Sequence, residues 1–346
     1  MVGSPVVLVL GGVLSSFPVG STFRQVEITV TGVVEGEGET QSYVYLVDAS
    51  SDRLNVDIAS ALRSMLFNIG YGSTWLDRDV INYPSVTFRV DYRTKYMVDG
   101  EIYYGESQLY NAECRAVPGR ISEMDRLRIN GHVADYYNLL RFTTKPSDGI
   151  EIVPVGENVV THSIGQSSGV VGKTYTVDVA GVHSLADGRK VYGVVDDGTL
   201  FSLRFVNSMG VLDTATAICK EALSYSVQTE GYNLTTAPSN RLPSGMEALK
   251  SGGRGKLALS SGFVNRQWAD WWAEEVMRTT KCWIKYGYQY STNGNKYDDL
   301  PLWLPCILTP KDEDVVVYDR SSQGLCYVEF EAEIGIEGSL LRTVIH

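Results

Sequence analysis

Apolar and polar residues alternate through positions 23–34 (FRQVEITVTGVV) and again through 42–48 (SYVYLVD). That period puts every second side chain on one face of an extended chain and scatters them around a helix. The polar run GEGETQ between the two stretches is turn chemistry, so together they predict a hairpin. The same grammar returns at 86–107 (VTFRVDYRTKYMVDGEIYYGES), around Asp99-Gly100, and at 190–207 (KVYGVVDDGTLFSLRFVN), around Asp197-Gly198. Asp-Gly favours the two positive-φ positions of a tight hairpin turn, so each is read as a hairpin with strands on either side. The 34 glycines and 21 tyrosines fit strands joined by tight turns.

Two segments break the period. Over 55–69, Ile58, Leu62, Met65, Leu66 and Ile69 recur at helical spacing behind Asn55 or Asp57 as caps, and the stripe must lie on a sheet. Over 265–279 (NRQWADWWAEEVMRT), Trp268, Trp271, Trp272, Glu275 and Val276 share one helical side, with Asn265 as cap. A chain of 346 residues exceeds one ordinary core. The punctuation KPSDG at 145–149 puts a boundary near 150, after which IEIVPVG and YTVDVAGV resume the alternation. The expected fold is mainly β: two β-sandwich or β-barrel-like domains, each with one short amphipathic helix, at 20–149 and 150–346. A polar, glycine-rich loop is expected at 235–256 as a contact arm. Four closing segments, CWIKYGYQY, LWLPCILTP, DVVVYD and LCYVEFEAEIGIE, read as strands. Between 113 and 144 only 133–142 suggests an element, a short strand or helix.

Residues 1–19 are read as an N-terminal strand or docking arm. Val6–Leu14 (VVLVLGGVL) resembles a signal core, with export as the runner-up, but its first positive side chain is Arg24 and two glycines interrupt it. That stretch is too short to span a bilayer, so membrane insertion is not expected. The net charge of −11 repels phosphate backbones, and no basic run with interleaved aromatics offsets it, so neither is nucleic acid. The cysteines 114, 219, 282, 306 and 326 form no C-x-x-C pair and read as mostly buried thiols of a reducing compartment. A Cys306–Cys326 disulfide is the minority alternative.

No catalytic, cofactor-binding or metal-binding residue is assigned. His132, His162, His183 and His346 are scattered, and G-x-S-x-G is absent. The segment 251–257 (SGGRGKL) fails the phosphate-loop pattern, because Lys250 and Leu257 stand where glycine and Ser/Thr are required. Asp196-Asp197 and Asp312-Glu313-Asp314 read as solvated turns rather than a carboxylate pair or a calcium loop. The three tryptophans read as packing in preference to a sugar-stacking platform. Asn233-Leu234-Thr235 matches a glycosylation acceptor, a tripeptide common by chance.

Two groups of segments carry a resemblance. DASSDRLNVDIASALRSMLFN (48–68) with YPSVTFRVDYRTKYMVDGE (83–101) resembles a module of structural proteins in phages and prophages of Bacteroidetes. SLRFVNSMGVLDT (202–214), LALSSGFVNRQWADWWAEEVMRTTKCWI (257–284), WLPCILTPKDEDVVVY (303–318) and CYVEFEAEI (326–334) are similar to tail proteins of the same phages. The resemblance implies a virion structural protein of the tail, of distal tail or baseplate type. Such a subunit is made in the host cytoplasm, forms a homo-oligomeric ring and joins the tail tube to receptor-binding parts. It carries no enzyme activity and meets any glycan receptor indirectly. The central helix of the N-terminal module and the long 235–256 loop depart from distal tail proteins in general. A carbohydrate-binding or adhesion module is the alternative, and a glycan hydrolase on a β scaffold comes third.

Overall fold

The computed structural model describes residues 6–35, 39–68, 76, 78–120, 140–164, 169–196, 198–219, 224–233, 246–290, 299–311, 317–318 and 325–335. Among the described residues it is mainly β, with two short helical segments of more than one turn. Two compact units alternate along the chain. The first comprises Met1–Thr144, Val160–Tyr175 and Asn207–Leu212; the second comprises Lys145–Val159, Thr176–Val206 and Asp213–His346.

In the first unit the alternating stretches pair as one antiparallel sheet in the order Thr40–Asp48, Thr22–Val34, Val86–Val98, Glu101–Tyr104. Gln108–Ala116 pairs with Val86–Val98 as well. Asp99 and Gly100 both take positive φ (51° and 84°) in the turn after Val98, as the Asp-Gly signature requires. Val26, Ile28, Val30, Val86 and Val90 face inward and are buried, while Glu27 and Arg93 pair on the other face at 2.6 Å. The helix Ala59–Asn68 covers the inner face with Leu62, Met65 and Leu66. It begins later than the sequence spacing suggests. Leu54 and Val56 alternate with Arg53, Asn55 and Asp57, so Arg53–Asp57 is a strand, and the Asp57 carboxylate accepts from the Ala59 amide (2.9 Å) at the helix start.

That strand pairs antiparallel with Val7–Gly11, burying Leu8 and Leu10 in the same core. The N-terminal segment is thus a strand that packs into its own unit, with Val7 and Val9 facing outward. Val80–Tyr83 pairs with Val170–Thr176 in a smaller sheet. Helix and sheet approach most closely at Gly32, where an added Cβ would lie 2.5 Å from Met65 Sδ and 2.9 Å from Val86 Cγ1. Gly32→Ala is expected to cost about 1–3 kcal/mol through overpacking, read as a shift in the urea midpoint. Pairing Gly32→Ala with Met65→Ala should recover part of that loss, because the side chain that must yield is then absent.

The second unit is built on a barrel. Leu212–Cys219, Leu200–Val206, Cys282–Tyr290, Asp299–Pro310, Glu329–Gly335 and Met246–Ser260 follow one another, and Ile218↔Ser260 and Cys219↔Leu259 close the ring. Ser224–Asn233 hangs on Met246–Ser260 as a seventh strand. Closure removes most exposed strand edges. Two expectations change here. The segment expected as a loop, 235–256, is strand from Met246 onward, and 234–245 lies outside the described residues. Its glycines read locally as loop, but Gly252, Gly253 and Gly255 are paired with Gln228, Val227 and Tyr225 in a long ladder that overrides local propensity. The second Asp-Gly is no hairpin. Lys190–Val194 pairs with Gly181–Ser184 and, in parallel, with Glu151–Pro154, whereas Leu200–Val206 joins the barrel. Asp196 Oδ1 accepts from the amides of Thr199 and Leu200 (3.1 and 3.0 Å), and Asp197 lies outside the described residues. Among the described residues no helix is long and apolar enough to cross a membrane.

Candidate binding surface

Asn265 caps the tryptophan helix as its sequence position suggests, its side chain accepting from the Trp268 amide at 3.0 Å. One α segment, Arg266–Trp271, runs into a π turn, Trp272–Val276, in which the Met277 amide reaches back to the Trp272 carbonyl. Trp271 and Trp272, whose rings lie edge-on at 5.7 Å, are both buried in the core cluster formed with the barrel strands. There small residues, Ala215, Ala217 and Ala332, leave them room. Trp271 meets Phe205 edge-on (centroids 5.9 Å), and Trp272 lies tilted on Phe330 (5.6 Å).

Trp268 differs. It is half-buried, stands edge-on to Trp271 at 5.4 Å, and donates its indole N–H to the Asp148 carbonyl at 2.7 Å. With Ile150, Ile152, Ile218, Phe263 and Asn265 it lines an open groove of about 270 Å³ in the second unit. Phe263 (64% exposed) and Ile152 (52%) are apolar side chains in water, as are Ile150 and Ile218. Gly149 sets the wall. Its φ of +110° suits glycine, and a Cβ there would lie 2.6 Å from Trp268 Nε1. Gly149→Ala is expected to cost about 1–3 kcal/mol from backbone strain and to push the Trp268 ring outward. A red-shifted tryptophan emission together with a lowered melting temperature would show both effects; an unchanged spectrum would mean that the wall does not position Trp268.

Beneath the groove lies a buried charge cluster. Lys145 Nζ is 2.6 Å from Glu151 Oε2, 3.2 Å from Asp213 Oδ1 and 3.2 Å from Thr214 Oγ1, and it sits 5.7 Å from the Trp271 ring. Arg189 Nη1 stands 3.9 Å from the same Asp213 oxygen, and Arg189 also pairs with Asp187. Although burial opposes its charge, the neighbouring Asp213, Glu151 and Asp187 carboxylates hold the Arg189 guanidinium above its ordinary value. Cations and carboxylates interleave, so the cluster can satisfy itself without a ligand. It fixes the strand Glu151–Pro154 that forms one side of the groove.

The remaining sites named from sequence stay apart. His162 bonds the Tyr83 hydroxyl (3.1 Å), and His183 bonds the Val179 carbonyl (2.8 Å). His132, His346 and 312–314 lie outside the described residues. Among the described residues no group of three or more His, Cys, Asp or Glu is placed to hold a metal ion. Residues 251–257 lie in a strand. Cys306 and Cys326 are not joined by a disulfide, and the cysteine facing Cys306 across the sheet is Cys282. Sequence spacing missed the groove, since its walls come from positions 149–152, 215–218 and 261–272, and only the tryptophan spacing pointed to it. Comparison with family models, with curated proteins and with solved structures gave no match.

Proposed function

We propose that this chain is a virion structural protein of a phage tail, a distal-tail or baseplate subunit that forms a ring and links the tail tube to receptor-binding parts. The observation that carries the reading is the groove with its exposed Ile150, Ile152, Ile218 and Phe263. Apolar side chains gathered in one place in water are what a partner surface covers. The resemblance of 48–68 with 83–101 to structural proteins of phages and prophages, and of 202–214, 257–284, 303–318 and 326–334 to tail proteins of the same phages, supplies the class of partner. The buried charge cluster serves as a scaffold beneath the groove.

Native mass spectrometry and negative-stain micrographs of the purified chain test the reading, alone and mixed with the products of adjacent reading frames. Rings or a defined hetero-complex are expected, and Phe263→Asp with Ile152→Asp should abolish them while the monomer melts as wild type does. A chain that stays monomeric in both settings would sink the proposal. A second reading rests on Trp268: a half-buried indole beside Asn265 and Glu151 in an open groove suits stacking on a sugar ring. Glycan-array binding by a stable monomer, lost in Trp268→Ala, would favour it.

A further inference from the structure

Cys282 and Cys306 are direct register partners on the neighbouring antiparallel strands Cys282–Tyr290 and Asp299–Pro310. Opposed residues in such a pair have Cα atoms about 4.5–5.5 Å apart and side chains on the same face, inside the separation a disulfide spans. Both thiols belong to one cluster: Cys282 lies in the barrel core and Cys306 packs against it. They differ in access. Cys282 is 5% exposed, while Cys306 is half-buried, and both line a cavity of about 410 Å³ with Lys281, Pro305, Ile307 and Glu333 at its walls. The hydrogen bond to Cys306, helped by burial, holds the Cys282 thiol well above the usual range. The other three cysteines face different residues: the exposed Cys114 is opposite Phe88, Cys219 is opposite Leu259, and Cys326 is opposite Tyr318.

We propose that this pair is a site of thiol–disulfide exchange that accepts a low-molecular-weight disulfide of the glutathione type through the cavity and closes into a cross-strand Cys282–Cys306 disulfide. The Cys306 thiolate attacks one sulfur of the small disulfide, forming a mixed disulfide and releasing the first small thiolate. Cys282 then attacks Cys306 Sγ, its proton passing to the second small thiolate as it leaves. One small disulfide is reduced to two thiols as two protein thiols are oxidised. Cys306 is the entry sulfur because it is reachable, and Cys282 is the resolving sulfur because it is the residue directly opposite. Turning Cys306 into the mixed disulfide removes the thiol partner that chiefly holds the Cys282 proton, leaving burial to slow the second step. The product staples two barrel strands and does not depend on the assignment to a phage tail.

The test is to incubate the folded chain with oxidised glutathione and then to measure intact mass and map peptides under non-reducing conditions. A product lighter by two hydrogens is expected, retaining no glutathione, carrying a Cys282–Cys306 cross-linked peptide and reverting with dithiothreitol. Its melting temperature should rise by roughly 5 °C, since a cross-link restricts the unfolded chain. Cys282→Ala should stop at one glutathione on Cys306, and Cys306→Ala should take none at Cys282. An unchanged mass in the wild-type chain, glutathione persisting on Cys306 beside a free Cys282, or a cross-link to another cysteine would each overturn the proposal, whether or not the variants fold.

Discussion

Trp271→Ala and Trp272→Ala are each expected to cost about 3–5 kcal/mol, lowering the melting temperature of the second unit by roughly 10 °C or more. Both rings are buried inside a closed barrel, where Ala215, Ala217 and Ala332 provide space that only large side chains fill. Removing an indole leaves a cavity that a hydrogen-bonded ring of strands cannot easily collapse around. Edge-on and tilted contacts with Phe205 and Phe330 are lost as well. Trp268→Ala should cost much less, because that ring is only half-buried and gives up one hydrogen bond, to Asp148. Thermal denaturation followed by circular dichroism distinguishes the three. If the Trp271 and Trp272 variants melted like wild type yet lost binding to a glycan or protein partner, the stripe would be a recognition surface rather than core.

The period of two was enough to place the two hairpins of the first sheet, because Thr22–Val34 pairs with Thr40–Asp48 and Val86–Val98 with Glu101–Tyr104, the second across a turn that Asp99-Gly100 dictates. The pairing of Val86–Val98 with Thr22–Val34 and with Gln108–Ala116 is not read from neighbouring residues. The same dipeptide misleads at Asp197-Gly198. Turn chemistry specifies a reversal locally, but whether the flanking strands pair depends on where their other edges are taken, and Lys190–Val194 is held by Glu151–Pro154 and Gly181–Ser184. Gly252, Gly253 and Gly255 fail for a related reason: they carry no strand propensity, and the ladder to 224–233 is a nonlocal fact. The helix over 265–279 was legible down to its cap, yet helical spacing at 3.6 residues per turn put three tryptophans on one stripe. All three reach the groove, but Trp271 and Trp272 are buried in the core cluster of the second unit, while Trp268 is half-buried. Of the groove itself, Ile152 in its strand and Phe263 in the loop after Ser260 carry no signal in sequence, since an exposed apolar residue reads the same as a buried one.

The buried cluster under the groove gives the second large effect. Lys145 and Asp213 have side chains 2% and 1% exposed, and Glu151 is 7% exposed, so their mutual attraction is little screened by water or salt. Lys145→Met keeps an unbranched side chain of similar reach but removes the cation that both carboxylates share. Asp213 keeps Arg189 at 3.9 Å and the Thr214 amide at 2.8 Å, whereas Glu151 keeps a long contact from the Thr214 hydroxyl at 3.5 Å and the weaker influence of the Arg189 charge. Leaving such a charge buried without its partner costs about 3–5 kcal/mol, far more than an exposed pair such as Arg266 with Asp270 could contribute. Most of that loss is the penalty on the stranded carboxylate rather than the worth of the pair. The double variant Lys145→Met with Glu151→Leu should therefore be more stable than Lys145→Met alone, by about 2 kcal/mol, because it removes the uncompensated charge and leaves the Arg189–Asp213 contact in place. Urea midpoints for the single and double variants, at low and high salt, decide the matter. A Lys145→Met chain within about 1 kcal/mol of wild type, or a double variant weaker than the single, would mean that water reaches these charges and that the cluster does not hold the groove strand by desolvated pairing.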